Sequence, residues 1–280
     1  MKLPTLLAVV LALALGPPAG RAETPTARPL TAILTALDAE HQAIEKAMQD
    51  RAPRRVLGFA FQTGRIKGRP VLLAKTGIGK VNAAQVTLLA IQRFEPTEVL
   101  FAGIAGGVSP DLEPGDLVVS RKVLQHDLGT LTDERFSPEP FNTAFNGDRP
   151  PLFLAASARL LGAAKAAAAK VSLEEVPLPD GSRTPRVLRG VLASGDTFVA
   201  SAKKKQELRD RWGADAVEME GAAVAQVCWQ QGVPFLVIRS VSDSADRLAE
   251  NDLKKFLPVA ARNAAALAVA VVEELNAAGN

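Results

Sequence analysis

The chain has 280 residues, a formal net charge of +3, 48% hydrophobic and 22% charged residues, with 21 Gly and 19 Pro. That composition is globular rather than disordered, and the length is enough to bury a sizeable core. One cysteine (Cys228) excludes an intrachain disulfide and a Cys-rich zinc site, two histidines (His41, His126) exclude a three-His metal centre, and the small charge argues against nucleic acid as a partner.

The first 22 residues have the grammar of an export signal. Lys2 is a short positive region, residues 6–15 are an unbroken apolar run, Gly16-Pro17-Pro18 breaks it, and Gly20 and Ala22 are small residues at −3 and −1 of a cleavage point. Ten apolar residues are too few to span a bilayer, which takes about 20. We therefore divide the chain into a signal peptide, 1–22, and one domain, 23–280, and expect a periplasmic or secreted protein. The leader carries Lys2 and Arg21 and no acid, so the remainder is close to neutral.

From about residue 30, β-rich runs alternate with helical ones. The pattern predicts strands at 30–37, 56–63, 70–76, 98–102, 116–124, 187–194, 216–219 and 235–241. It predicts helices at 40–49, 80–93, 152–171, 202–212, 221–231 and 252–277. Near-continuous apolar runs such as Phe235-Leu236-Val237-Ile238 suit strands buried on both faces. The alternation implies a three-layer α/β/α sandwich around a mixed, mostly parallel twisted sheet. Residues 129–151 and 178–186 read as irregular connections; the first is long enough to suggest a functional loop.

Acids beside apolar strand residues are the informative positions. Asp38 stands where it can cap the following helix, and Glu40 falls in that helix's first turn, either compensating the helix dipole or serving a site at the sheet edge. Glu218 and Glu220 bracket Met219 where strand becomes helix. Extended backbone would point both the same way, toward solvent or toward paired sugar hydroxyls. Arg239-Ser240-Val241-Ser242-Asp243 closes the most apolar strand, so Asp243 either caps the next turn or is desolvated into a general acid. Thr76-Gly77-Ile78-Gly79-Lys80 and Gly103-Ile104-Ala105-Gly106-Gly107 read as glycine-rich loops after strands, and neither is a Walker or dinucleotide fingerprint.

Together these stretches, with Ala36-Leu37-Asp38-Ala39-Glu40, Gly115-Asp116-Leu117-Val118-Val119-Ser120 and Ser194-Gly195-Asp196-Thr197-Phe198, resemble the purine nucleoside phosphorylase-like superfamily. The nearest branch is methylthioadenosine/S-adenosylhomocysteine nucleosidase. The resemblance implies metal-free and cofactor-free hydrolysis of a purine N-glycosidic bond through an oxocarbenium-like transition state. It implies that Glu40 activates water, Arg239 and Thr76 position it, and Asp243 protonates purine N7. Glu220 would hold the ribose hydroxyls with Met219 beside the sugar, Phe198 would stack on the base, and the Val199 main chain would read its edge. Gly107, Glu218 and Ser242 complete the implied substrate-binding set, and a homodimer is implied. A carboxylate at Glu40 would repel phosphate, which favours a hydrolase over a phosphorylase. A phosphorylase and an exported nucleoside-binding protein are the alternatives. The stretch 129–151 departs from the short loop of that branch, which leaves the 5′ substituent open.

Overall fold

The computed structural model describes residues 29–142 and 150–277. The predicted signal peptide and residues 143–149 of the long irregular stretch lie outside the described residues. The elements run β1 (Thr31–Thr35), α1 (Asp38–Glu45), β2 (Gln49–Val56), β3 (Phe59–Ile66), β4 (Arg69–Lys75), α2 (Lys80–Phe94), β5 (Glu98–Gly107), β6 (Leu117–Gln125), β7 (Gly129–Leu131) and β8 (Phe136–Pro138). They continue β9 (Leu154–Ala155), α3 (Ala158–Ala168), β10 (Val176–Leu178), β11 (Gly181–Arg183), β12 (Val187–Ser194), α4 (Ala202–Trp212), β13 (Ala216–Glu218), α5 (Gly221–Gln231), β14 (Phe235–Asp243) and α6 (Ala249–Ala277).

One mixed sheet runs β13-β12-β6-β14-β5-β1-β4-β3-β2. Its centre is parallel, β14 to β5 to β1 to β4, and every residue of β1 and β14 is buried, which accounts for their unbroken apolar runs. Helices α1 and α3 pack on α6 over one face, and α2 packs on α5 over the other, as an α/β/α sandwich requires. Helix α6 is the one described helix long and apolar enough to cross a membrane, and most of that stretch is buried in this fold. At one end the sheet curls over: the three residues of β13 pair with β12 in parallel, and Ala216 and Val217 also pair with β5 in antiparallel, closing β5, β14, β6, β12 and β13 into a ring.

The structure corrects several boundaries. The predicted strand 56–63 spans a tight turn: Leu57 (φ 48°) and Gly58 (φ 86°) both sit in the left-handed region and join β2 to β3, and Lys67 with Gly68 repeats the device before β4. Val-Leu-Gly-Phe reads as one apolar run, yet Leu57 is 75% exposed. Strand β2 itself, polar and mostly exposed along an edge, lacks the hydrophobic alternation that would reveal it, so helix α1 ends earlier than the predicted 49. Helix α3 is shorter than 152–171 because Leu154–Ala155 joins the sheet beside β6. The glycine-rich segment 103–107 is not a loop but the second half of β5. Both irregular stretches carry small hairpins, β7–β8 and β10–β11.

The N-terminal ends of the parallel strands β1, β4 and β5 are tied by a buried charge network. Glu98 accepts hydrogen bonds from Thr31 Oγ1, from Thr97 Oγ1 (3.0 Å), from Arg69 Nη2 (2.8 Å) and from Arg159 Nη2 (2.7 Å). Arg69, 3% exposed, also reaches Thr31 Oγ1 (2.7 Å) and the carbonyl of Leu275 (3.1 Å), linking β1, β4, β5 and the end of α6. Removing one partner of such a pair strands the other charge away from water. Arg69→Met is therefore expected to cost about 3 kcal/mol in denaturant unfolding while leaving turnover per folded molecule intact; a loss under about 1 kcal/mol would show that Arg159 alone holds Glu98.

Candidate active site

The C-terminal ends of β1, β5, β12, β13 and β14 converge on a cavity of about 160 Å³. Eight of the expected site residues line it: Glu40, Phe198, Val199, Glu218, Met219, Glu220, Ser242 and Asp243. Apolar side chains that sequence reasoning did not single out, Leu37, Ile78, Ile104, Val217 and Leu253, supply much of the remaining wall.

Glu40 is 3% exposed although it sits in the first turn of α1. Its Oε2 reaches back to the main-chain N–H groups of Ala36 and Leu37 (both 2.8 Å), and Oε1 accepts from Ile104 N–H on β5 (3.0 Å). Reaching back to the residue preceding the helix is what a carboxylate at this position does in a capping box, so cap and site coincide in one side chain. Asp38 does not cap. It lies on the surface and pairs with Lys75 at 2.5 Å, which holds its carboxyl below the usual range. Burial pushes the Glu40 carboxyl up, against the opposing pull of Arg239 and the three N–H donors.

Glu218 and Glu220 do not share a face. Strand β13 ends at Glu218, the chain turns, and the two carboxylates diverge. Glu218 turns inward and is saturated: Arg239 Nη2 (2.5 Å) and Nε (3.2 Å), the N–H groups of Glu220 and Gly221, and Ser194 Oγ all donate to it. Glu220 faces the cavity. Its Oε1 accepts from Gly79 N–H (2.8 Å), while Oε2 lies 3.8 Å from Arg239 Nη2 and takes no hydrogen bond. Burial first, then the charge of Glu218, raises the Glu220 carboxyl to about 7.

Arg239 is 1% exposed and lies behind the cavity wall. Its guanidinium stacks 4.1 Å over the Phe101 ring, and Nη1 has no hydrogen-bond partner among the described residues. In the β5–β14 register Arg239 faces Gly103 and Asp243 faces Gly106. A Cβ at residue 103 would sit 2.7 Å from Glu40 Oε1 and 2.8 Å from Arg239 Nη1; one at residue 106 would sit 2.9 Å from Asp243 Oδ1. These glycines leave room for the charged groups of the neighbouring strand and helix.

Asp243 is 2% exposed. Its Oδ1 accepts from Ala245 N–H (2.9 Å) and Oδ2 from Ser242 Oγ (2.8 Å). The turn that aims Ala245 N–H at the carboxylate places Ala245 in the left-handed region (φ 51°), an uncommon conformation for a non-glycine residue. Burial raises the Asp243 carboxyl, and Asp252 and Asp246 add to the effect. The turn-capping reading of Asp243 thus holds, and the same side chain is desolvated.

Two expected residues lie elsewhere. Thr76 is not on the cavity wall; its N–H (2.7 Å) and hydroxyl (3.0 Å) both bond the Thr35 carbonyl, pinning the end of β4 to β1. Gly107 packs behind the site, where a Cβ would meet Val241 Cγ1 at 3.1 Å and the Asp243 carbonyl at 3.4 Å. The sequence does not show which hydroxyl is consumed by main chain, and that is where Thr76 departs from expectation.

The phosphorylase superfamily model matches residues 31–273. A 5′-methylthioadenosine/S-adenosylhomocysteine nucleosidase of Anoxybacillus flavithermus is 36% identical over 248 residues, spanning 88% of this chain and 98% of that protein. Its counterpart in Bacillus thuringiensis is 34% identical over 251 residues, spanning 87% and 98%. Among solved structures, the nucleosidase of Neisseria meningitidis in complex with methylthio-immucillin-A superposes with a TM-score of 0.75 at 32% identity, over 87% of this chain and 98% of that one. A futalosine hydrolase of Helicobacter pylori does so with a TM-score of 0.75 at 33% identity, over 88% and 98%. With a matching fold, near-complete coverage and a carboxylate-lined cavity, the chain belongs to the 5′-methylthioadenosine/S-adenosylhomocysteine nucleosidase family of the phosphorylase superfamily, a family of purine nucleoside N-glycosyl hydrolases.

Proposed function

We propose that this chain hydrolyses 5′-modified adenosines to adenine and the free sugar, with Glu40 as the base that activates water and Asp243 as the acid that protonates purine N7. The observation that carries this reading is the placement of Glu40, Glu220 and Asp243 around one largely apolar cavity while Glu218 is neutralised by Arg239. The missing Cβ at Gly103 lets the Glu40 carboxylate and the unpaired Arg239 Nη1 crowd the same point of β5. Glu40, on the cavity wall, is placed to accept a proton from a water held in the cavity. As its oxygen bonds C1′ and the C1′–N9 bond breaks, its proton passes to Glu40 and the proton of Asp243 passes to N7. The free Oε2 of Glu220 accepts from the ribose hydroxyls, and its charge lies near the developing oxocarbenium ion. Met219 packs beside the sugar, Phe198 stacks on the base, and the Val199 main chain reads its edge. Ser242 orients Asp243. Glu218 acts as counter-ion to Arg239 rather than as a hydroxyl acceptor, and Thr76 steadies the sheet edge rather than the water.

Phosphorolysis is the weaker reading, because an attacking phosphate would have to approach the Glu40 carboxylate. Ile78 (53% exposed) and Phe198 (42%) line the cavity and also face solvent, and Val81 (77%) follows on the first turn of α2; we take these exposed apolar residues as a rim. That rim supports a homodimer in solution, and residues 1–22 support export to the periplasm or beyond. Sedimentation velocity giving a monomer at micromolar concentration would overturn the first; a mature chain that still begins at Met1 would overturn the second.

Product analysis on 5′-methylthioadenosine, S-adenosylhomocysteine, 5′-deoxyadenosine and futalosine, with and without phosphate, tests the reaction. Free base is expected at equal rates in both buffers, and Asp243→Asn is expected to lower kcat by at least about 100-fold while the nucleoside still binds. Sugar 1-phosphate as product, or wild-type turnover in the variant, would refute the assignment.

The Glu220 carboxyl, shifted to about 7, must be ionised to accept the ribose hydroxyls. Glu218, Glu40 and the Arg239 guanidinium are the charges acting on it, with Gly79 N–H as its donor. As pH falls through about 7 the acceptor is lost, so kcat/KM is expected to decline on the acid side. Glu220→Gln is expected to be slower and to lack that limb; an unchanged acid limb in the variant would assign it to another group.

A further inference from the structure

The base-facing segment, residues 196–200, belongs to no strand or helix. Among the described residues its one main-chain group with a hydrogen bond is the N–H of Asp196, which donates to Asp127 Oδ2 at 2.8 Å. Asp127 Oδ1 is in turn paired with Lys80 Nζ at 2.6 Å, and the Lys80 main-chain N–H returns to Asp196 Oδ1 at 2.8 Å. The three residues form a closed ring of hydrogen bonds beside the cavity, to which none of them contributes wall.

The ring is seated firmly at each corner. Lys80 Nζ also donates to Gln125 Oε1 (3.1 Å), and Gln125 is bonded to Gln226 on α5 (2.7 Å). Asp127 follows His126, whose buried imidazole packs so closely on Gly195 that a Cβ there would lie 2.4 Å from Nε2. Gly79, at φ 97°, places its own N–H on Glu220 Oε1 while the next N–H, that of Lys80, goes to Asp196. Two adjacent peptide groups at the start of α2 thus hold the carboxylate assigned to the ribose and the segment assigned to the base.

We propose that Lys80 and Asp127 are positioning residues that set the distance between Phe198–Val199 and Glu220, and so the affinity of the site for the purine. The proposal rests on the assignment of Phe198 and Val199 to the base under the proposed function. Neither residue touches substrate. With the ring intact, the base wall and the sugar carboxylate are held in one geometry; with it broken, Lys80 and Asp127 no longer brace one another, and although Val199 stays packed in the core, ordering the rest of 196–200 is charged to binding.

The test uses the full protein and reads adenine affinity by calorimetry together with KM and kcat for 5′-methylthioadenosine. Lys80→Met and Asp127→Ala are each expected to raise both the adenine Kd and KM by about tenfold, with kcat changing less than about threefold. The double variant is expected to be no worse than the poorer single one, because either change opens the same ring. Lys80→Arg should restore affinity to within about threefold of wild type. Asp127→Asn, which keeps an acceptor for Asp196 N–H but loses the charge facing Lys80, serves if Asp127→Ala does not fold. A purely structural role would lower the active fraction, and hence apparent kcat, at unchanged KM and Kd; that pattern, or additive losses in the double variant, would overturn the proposal. Wild-type protein that binds adenine but releases none from any nucleoside would remove the catalytic reading and leave the adenine measurements to decide the clamp. Wild-type protein that binds no adenine would remove both.

Discussion

Everything at the site is arranged around a guanidinium that never reaches solvent. Arg239 is carried into the core by a strand buried along its whole length, stacked on Phe101 and bonded to Glu218 through two nitrogens. A buried pair of this kind gains little net stability, since desolvation offsets much of the attraction. Its consequence is positional. Glu218 is spent on Arg239 and on the first N–H groups of α5, which fixes where β13 ends and the helix begins, and therefore where Glu220 emerges. The third nitrogen of Arg239 is left without a partner beside Glu40.

The charge balance follows from that arrangement. One cation serves Glu218, Glu220 and Glu40, and it is engaged most tightly by Glu218. The other two carboxylates, and Asp243 further along the same strand, are buried with hydrogen-bond donors but little neutralising charge, and their affinity for protons rises accordingly. A site with these groups can supply both a proton acceptor and a proton donor around one cavity, because burial sets the two carboxyls apart from ordinary surface acids.

Much of this was legible in the sequence, and the exceptions share a cause. The strand–helix alternation, the fully buried strands and the acids at strand ends are patterns of residue type, and type is what a sequence displays. The misjudged positions depend on partners. Asp38 and Glu40 are two residues apart on one helix turn, and the one with three main-chain donors became the buried group. Glu218 and Glu220 diverge because the strand stops between them. Thr76 has the right side chain in a suggestive motif, but its hydroxyl is committed to Thr35. Strand β2 carries no apolar alternation because it lies on an edge, and the glycines at 103 and 106 looked like a loop because the reason for them stands on the adjacent strand.

The double pairing of β13 bears on how anything enters or leaves. Ring closure means that none of the five strands behind the cavity has a free edge there, so splaying any of them breaks ladder hydrogen bonds on two sides at once. The rear of the cavity is in effect a fixed mould. The rest of the wall includes coil, Ile78 before α2 and Thr197–Val199 after β12, and helix α4, which follows that second coil, is tied to residues 244–248 by Lys205 Nζ on the Ser244 carbonyl (2.8 Å). A longer or bulkier substituent is therefore a matter for the coils of the wall, where residues can change without breaking a ladder, with the sheet left as it stands.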